Sequence, residues 1–158
     1  FIRTSDLINF EVSSDPTNSV SEAIYEQYSK QQNLKEGDIL FIADGRYRIG
    51  KTAILNKYNL KCIIQSHIDI FSLSEKSPIQ PYEFLYLMNS QIVQEQIRNL
   101  VFIQSTLGTL GNRIKEIQIP LPVRNDEWNK KIHAFQKNIE TRAKILSQLN
   151  EIQHSFEL

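Results

Sequence analysis

The sequence is poor in several features on which common protein classes depend. A single cysteine, Cys62, leaves no intrachain disulfide, which excludes the disulfide-stabilised secreted scaffolds. Because it belongs to an apolar run with Ile63 and Ile64, we expect its side chain to be buried. The lack of a disulfide also fits a reducing, cytoplasmic compartment. No run of about 18 apolar residues is present, which excludes a membrane-spanning helix. No secretory leader is visible, and because the sequence begins at Phe1 we expect it to be part of a longer chain.

The chain also lacks net charge, since its 18 basic residues balance 18 acidic ones. A nucleic-acid-binding domain usually has a basic surplus, so the balance alone argues against that class. The charge is uneven, however: residues 1–44 hold three basic and eight acidic side chains, and residues 45–125 hold ten and five. A basic patch without any acid lies in residues 45–61 and consists of Arg46, Arg48, Lys51, Lys57 and Lys61. Such a local patch can neutralise phosphates even in a neutral chain.

Apolar periodicity predicts an α+β fold, with a small mixed β-sheet, flanking helices and one long C-terminal helix. Ser19 or Ser21 can cap a short helix over about residues 20–32. We expect a second helix over residues 82–100, where apolar side chains recur at three-to-four spacing. The predicted strands cover 39–43, part of 46–55, 61–71 and 114–121.

The last part of the chain, residues 126–156, contains neither glycine nor proline and has the apolar spacing of a coiled coil. A helix of this length extends about 45 Å, at about 1.5 Å per residue. Because a small domain is narrower than that, we expect part of the helix to pack against a partner outside the domain. We therefore predict a domain over residues 1–122 and a coupling helix over residues 123–158, with Trp128 as the packing anchor between them. The predicted interface residues of the helix are Trp128, Ile132, Phe135, Ile139, Leu146 and Leu149.

Residues 45–52 read Gly-Arg-Tyr-Arg-Ile-Gly-Lys-Thr and match the pattern of a phosphate-binding loop. Such a loop wraps phosphates with backbone N–H groups, so its inner residues are usually small, whereas these four are bulky. It also needs a helix that begins at the Lys-Thr pair, and here the chain soon reaches the helix-breaking segment 56–59. A β-hairpin with a basic tip is therefore favoured, and a small nucleotide-binding domain remains the alternative hypothesis.

A hairpin tip that carries arginine and tyrosine is also suited to a DNA groove. Arginine can bond a guanine edge in bidentate fashion, and tyrosine can pack on a sugar or a thymine methyl group. The side chains at this tip are Arg46, Tyr47, Arg48 and Lys51. Solvated basic hairpins are common, so this stretch alone does not establish DNA contact.

Six short segments and a closing helix occur in a characteristic order along nearly the whole chain: 1–7, 34–41, 45–54, 65–68, 104–108 and 114–122. Together they resemble the target-recognition domain of type I restriction–modification specificity subunits, and the similar domain of fused restriction–methylation enzymes. The resemblance implies an α+β domain that reads one half of a split DNA target. It also implies that the helix sets the distance to the second half and docks the modification subunit.

The sequence departs from this family pattern in two places. Residues 123–128 read Val-Arg-Asn-Asp-Glu-Trp where members often have a Glu-Gln pair that begins the helix. This difference indicates a variant lineage, such as a fused methyltransferase or a solo recognition chain. The first strand that the family places before Phe1 is also absent.

Three further segments are predicted to contact DNA, and each has a structural alternative. Residues 3–5 resemble the family's loop near the DNA, although capping and turn formation explain them equally well. Residues 65–67 are predicted to lie in mid-strand, where they either read base edges or form an internal polar network. Residues 104–113 suit phosphate or base contacts, or a plain polar loop. The predicted contacts of these segments are Arg3, Thr4, Ser5, Gln65, Ser66, His67, Gln104, Ser105, Thr106, Thr109 and Arg113.

The sequence contains no recognisable catalytic set. The Asn/Asp-Pro-Pro-Tyr/Phe motif of adenine methyltransferases is missing, and His133 and His154 lie on the tail helix, away from His67, so no metal site is expected. We therefore predict a recognition module without enzyme activity or cofactor. Its expected partners are double-stranded DNA, a methyltransferase subunit or domain, and a second helix from a partner half or a homodimer mate. A protein-interaction module that acts only through residues 126–156 remains a third hypothesis.

Overall fold

The computed structural model describes residues 1–13, 16–45, 47–104 and 107–155, and it confirms the predicted α+β fold. The helices are α1 (Glu22–Gln32), α2 (Pro81–Met88), α3 (Gln91–Leu100) and α4 (Asp126–Ser155). The strands are β1 (Leu7–Ile8), β2 (Glu11–Val12), β3 (Ile39–Ile42), β4 (Asp44–Gly45), β5 (Thr52–Ile54), β6 (Ile68–Phe71), β7 (Phe102–Gln104) and β8 (Leu107–Thr109). Short 3-10 helices cover Thr4–Asp6, Pro16–Asn18 and Gly111–Glu116.

A buried strand, β3, organises the core. It lies between β5 and β6 and pairs antiparallel with both, so that Leu40 faces Ala53 on one side and Ile70 on the other. All four of its side chains are buried, because the sheet is covered on both faces. Ile39 and Phe41 point into the cluster built on α2 and α3. Residues 40 and 42 point into a second cluster, formed with the N-terminal segment.

A second antiparallel sheet has the strand order β4-β8-β7 and begins where β3 ends. Asp44 and Gly45 had the sequence pattern of a tight turn, but they form β4, where Asp44 pairs with Thr109 and Gly45 with Gly108. A Cβ atom on Gly108 would lie 3.0 Å from Val101 Cγ1, so the close packing of this sheet requires glycine there. The two sheets together place the loops after β3 and before β6 beside the β7–β8 hairpin.

Three predicted elements differ in the structure. The segment expected to be a strand over residues 61–71 forms one only at Ile68–Phe71. The helix expected over residues 82–100 is interrupted at Asn89 and Ser90, because Ser90 caps α3 and the Asn89 amide bonds to Thr52 Oγ1 at 2.6 Å. The strand expected over residues 114–121 is wrong. Its start belongs to a 3-10 helix, and the backbone of Gln118 bonds to the Gln96 side chain (2.8 and 2.9 Å) instead of a strand partner.

Helix α4 confirms the long C-terminal helix, and its two halves have different surroundings. In the first half, Ile139 is buried against the main core and Phe135 packs on it. In the second half Ala143 is also buried, but the larger apolar side chains are about half exposed; they are Ile145, Leu146, Leu149 and Ile152. Within the described ranges, no helix has both the length and the hydropathy that crossing a bilayer requires.

Candidate nucleic-acid interface

The predicted contact loops that the structure describes lie side by side at one end of the two sheets. We call this surface the polar edge and define it as residues 3–6, 43–45, 47–51, 65–67 and 107–113. Direct contacts link each segment to the next, although the first and last are more than 100 positions apart in the sequence.

The N-terminal segment is joined to the loop before β6. Ile2 forms a parallel bridge with Ile64, in which Ile2 N donates to Ile63 O (2.8 Å) and Gln65 N donates to Ile2 O (2.9 Å). The amide of Thr4 donates to the side chain of Gln65 at 3.2 Å. Gln65 therefore holds residues 3–6 beside residues 65–67.

Asp6 gives residues 3–6 a fixed shape. Its buried carboxylate accepts from Arg3 N (2.9 Å), from Ser5 Oγ (2.9 Å) and, at 3.5 Å, from the Arg3 guanidinium. Burial raises the pKa of Asp6, but these hydrogen bonds outweigh it and bring the pKa below its usual value. Arg3 remains partly exposed and Ser5 is exposed. The turn chemistry considered for residues 3–5 is therefore present, and it leaves both side chains accessible.

Residues 65–67 lie before β6, not within a strand as predicted, because Ser66 and His67 form the turn that begins it. His67 Nδ1 lies 2.5 Å from Asp44 Oδ1, and Ala43 N donates to His67 O at 3.2 Å. These bonds connect the loop to β4. Asp69 lies nearby, and burial together with the negative charge of Asp44 raises the pKa of its carboxyl.

The basic hairpin rules out the phosphate-loop alternative. Lys51 is followed directly by strand β5, which returns antiparallel along β3, so the helix that a phosphate-binding loop requires after its Lys-Thr pair is replaced by a strand. Gly50 has a φ of +86° and donates from its amide to Ile42 O at 3.0 Å. A Cβ atom there would lie 3.1 Å from Ile97 Cγ2, so the second glycine of the motif serves packing and turn geometry.

The predicted contacts of this hairpin have unequal exposure. Tyr47 is 82% exposed and Lys51 is exposed. Arg48 is half-buried and donates from Nη2 to Leu7 O at 2.6 Å, which ties the hairpin to β1. Its buried Nε has no hydrogen-bond partner among the described residues. Arg46 lies outside the described residues.

The β7–β8 hairpin completes the polar edge. Thr109 faces Asp44 across the sheet, and its Oγ1 accepts from Gly111 N at 3.2 Å. Leu110 N donates to Ala43 O at 3.1 Å, a second bond between the two segments. Arg113 is exposed and donates to Leu100 O at 3.2 Å. Gln104 lies in β7, next to the hairpin tip, whereas Ser105 and Thr106 lie outside the described residues.

One acidic residue at the centre of this surface was not predicted from the sequence. Asp44 links its own segment to two others, through its contact with His67 and its pairing with Thr109, and it precedes the basic loop. Its sequence signal was the Asp-Gly pair, which was interpreted as a turn. The available clue was its location between a buried strand and five basic residues without any acid.

The predicted interface residues of the helix divide into two groups. Trp128 Nε1 donates to the buried carboxylate of Glu83 at 2.8 Å, and the indole packs edge-on against Tyr86 at 5.5 Å. Phe135 contacts Tyr86 and Phe10 in the same edge-on manner, at 5.3 and 5.4 Å. Leu146 and Leu149 are instead 47% and 54% exposed. The partly or fully buried group is Trp128, Ile132, Phe135 and Ile139.

The comparisons with known proteins identify a family for the chain. A family model described as type I restriction modification DNA specificity domain matches residues 1–154. A search of curated proteins finds no match to the sequence.

Proposed function

Since the chain belongs to the family of type I restriction–modification DNA specificity domains, the modules that give such systems their DNA sequence specificity, we propose that its polar edge is the surface that reads double-stranded DNA. Residues 1–122 form the recognition domain in this proposal, and residues 123–158 form the coupling helix. The polar edge supplies phosphate contacts from its cations and base contacts from its polar loops.

The observation that carries the proposal is the convergence of separate predicted segments on one surface. The bond from Thr4 N to Gln65, the bond between His67 and Asp44, and the pairing of Asp44 with Thr109 join them without a gap. A major groove is about 12 Å wide and admits a small group of adjacent loops. Dispersed loops could not read neighbouring base pairs, whereas loops in contact can.

The cations of the polar edge are assigned to affinity and its uncharged polar groups to specificity. Lys51 and Tyr47 extend into solvent at the hairpin tip, and Arg113 and Arg3 lie to either side. Phosphate contacts of this kind position the protein and carry no sequence information. Arg46 and Arg48 of the basic hairpin are likewise assigned to affinity. Base discrimination is assigned to Gln65, Ser66, His67, Gln104, Ser105, Thr106 and Thr109.

Specificity domains of this family are not themselves catalytic, and we assign the chemistry to a methyltransferase, and where present a nuclease, on another chain or another part of the parent chain. The half-exposed apolar residues in the second half of α4 are the proposed docking region for a second spacer helix, from a partner half or a homodimer mate. We place the module in the cytoplasm, where the methyltransferase and the cellular DNA meet.

Duplex binding by the full chain at several stated salt concentrations tests the proposal. We expect Lys51→Ala to weaken binding about equally for all sequences and to reduce the slope of log K against log salt by about 0.9, because one phosphate contact is lost. Lys76→Ala is the matched control, since Lys76 is exposed in the turn after β6, at the opposite end of the sheet from the polar edge.

Selection from random duplexes at physiological salt then asks whether binding is sequence-specific. We expect the wild-type chain to enrich a motif of a few base pairs, weakened by Arg46→Ala. Equal losses in Lys51→Ala and Lys76→Ala would contradict the assignment of the polar edge. Absence of DNA affinity at every salt concentration would instead favour a protein-interaction module that acts only through α4.

A further inference from the structure

Asp44 places an acidic side chain in a surface that we propose to bind DNA, whose phosphates repel a carboxylate. It lies between His67 and Thr109 in the middle of the polar edge, and about a third of its side chain is exposed. A carboxylate in front of phosphates is unfavourable, and Asp69 adds a second negative charge nearby. A group of this charge is compatible with DNA binding only where it faces hydrogen-bond donors.

The base edges of the major groove offer such donors. Cytosine presents its N4 amine there, and aspartate or glutamate is the side chain that accepts from it. Adenine also presents an amine, but its N7 acceptor lies beside it and repels a carboxylate. Guanine and thymine present acceptors to the groove on their own edges. An unprotonated carboxylate therefore favours cytosine among the four bases.

We propose that Asp44 is a specificity-determining residue of the DNA-reading surface and accepts a hydrogen bond from the N4 amine of a cytosine. The inference rests on the proposed function and deepens it, because it names one base of the target. The free acceptor is Oδ2, since Oδ1 is bonded to His67 and no described residue bonds to Oδ2.

His67 is the positioning residue in this arrangement. Its Nδ1 holds Asp44 Oδ1 at 2.5 Å, and its own backbone is fixed by the bond from Ala43 N. The backbone of Asp44 is fixed independently by pairing with Thr109 in β8. Because the backbone of Asp44 and its Oδ1 are both fixed, Oδ2 is kept in a defined place, which base discrimination requires.

A metal site is a different use for a histidine and two carboxylates, and the geometry does not support it. Within the described ranges, no three histidine, cysteine, aspartate or glutamate side chains are arranged to hold a metal ion. The close contact in this cluster is that between His67 and Asp44, whereas Asp44 acts on Asp69 through its charge.

Asp44→Asn is the informative variant, because asparagine has the same shape and keeps an oxygen at the position that faces His67 Nδ1. The group at the Oδ2 position becomes an NH2 donor, so it can no longer accept from cytosine. In random-duplex selection on the full chain at physiological salt, we expect one position of the wild-type motif to change from cytosine to guanine or thymine, which offer acceptors. The other positions of the motif should be unchanged.

Asp69→Asn is the matched control, since it removes the same charge from a residue near Asp44 that does not contact His67 in the manner of Asp44. We expect it to strengthen binding about equally for all sequences and to leave the motif intact. His67→Ala should reduce the preference for cytosine at that one position without creating a new preference. An unchanged motif in Asp44→Asn, or the same change in Asp69→Asn, would overturn the inference.

A change on the DNA side makes the test independent of protein folding. The cytosine of the wild-type motif is replaced by a pyrimidin-2-one base, which lacks the N4 amine. We expect the wild-type chain to bind this duplex roughly five- to a hundredfold more weakly, and Asp44→Asn to lose that discrimination. Equal discrimination by both proteins would refute the role of Asp44. If the wild-type chain enriches no motif at all, the proposed function fails instead.

Discussion

The guanidinium of Arg142 on α4 donates to the carboxylate of Glu11 in β2, and so joins the long helix to the N-terminal hairpin of the body across 131 positions of sequence. Arg142 also donates to Asn9 O, and Phe10, between Asn9 and Glu11, packs edge-on against Phe135 of the same helix. The other end of the hairpin accepts from Arg48 through Leu7 O. Residues 7–12 thus contact both the polar edge and α4.

We expect Arg142→Ala to destabilise the chain by about 2 kcal/mol, because it leaves the buried Glu11 carboxylate without its charged partner. The value lies below that of a fully buried pair, since part of Arg142 is exposed. Urea denaturation measures the change. Arg98→Ala, which breaks an exposed pair with Glu95 on α3, is the control and should cost less than about 0.5 kcal/mol. Adding Glu11→Gln to Arg142→Ala should restore part of the loss, and a further loss would contradict this account.

Features of this structure that depend on neighbouring residues could be predicted from the sequence, whereas features that depend on distant residues could not. Strand β3, helix α1 with its Ser21 cap and the start of α4 follow from runs, caps and spacing within a few residues, and the predictions there are confirmed. The break at Asn89 and Ser90 was missed, because the apolar spacing continues through it. The expected strand at residues 114–121 is wrong for a similar reason. The alternation of apolar and polar residues indicates a strand with every second side chain exposed. A 3-10 turn followed by backbone bonds to the Gln96 side chain gives a similar pattern of exposure.

The polar edge could be predicted only as separate pieces. Each loop carries polar or basic side chains that the sequence displays, but the contacts that bring them together span long distances, such as the 61 positions between Thr4 and Gln65. Asp44 was overlooked because an Asp-Gly pair after a strand is typical of a turn. Its place in β4 follows from pairing with β8, which no local pattern encodes.

The stability of the chain should respond to pH through Asp69. Burial and the charge of Asp44 raise the pKa of this carboxyl in the folded chain above its value in the unfolded chain. The folded state therefore binds the proton more tightly, and this contribution to stability is present at low pH and is lost as pH rises through the folded pKa. At neutral pH the ionised group consequently lowers stability.

We expect Asp69→Asn to raise the free energy of unfolding at pH 7 by less than about 1 kcal/mol, because the group is partly solvated, and to give a smaller gain near pH 3. Thermal or urea denaturation across that pH range measures it. Glu75→Gln, which removes a charge from an exposed turn at the far end of the sheet, serves as the comparison. A gain that grows toward low pH would have the wrong sign and would refute this assignment.

The reactivity of Cys62 reports on the integrity of the second core cluster. The thiol is buried beside Ile64 and Leu55, and burial raises its pKa to about 11. Because the thiolate is the reactive form, we expect the folded chain to react with a thiol reagent at pH 8 at least roughly a hundredfold more slowly than the unfolded chain. Stopped-flow labelling with and without denaturant measures the ratio. Similar rates in the two states would show that this cluster opens readily.

The two halves of α4 should respond differently to the same substitution. Ile139 is 5% exposed in the main core, so a charge there is buried without a partner, and Ile139→Asp should unfold the body. Leu149 lies on the same helix and is 54% exposed, so Leu149→Asp should leave the thermal midpoint within about 2 °C of the wild type. If the second half packs on another helix in the assembled enzyme, the exposed variant should nevertheless lose association. Sedimentation of the chain alone and with its methyltransferase partner measures this. If Leu149→Asp is stable and associates as the wild type does, the second half of α4 is not part of the interface. The structural role of the helix would then be limited to the contacts of Trp128 and Phe135 with the body.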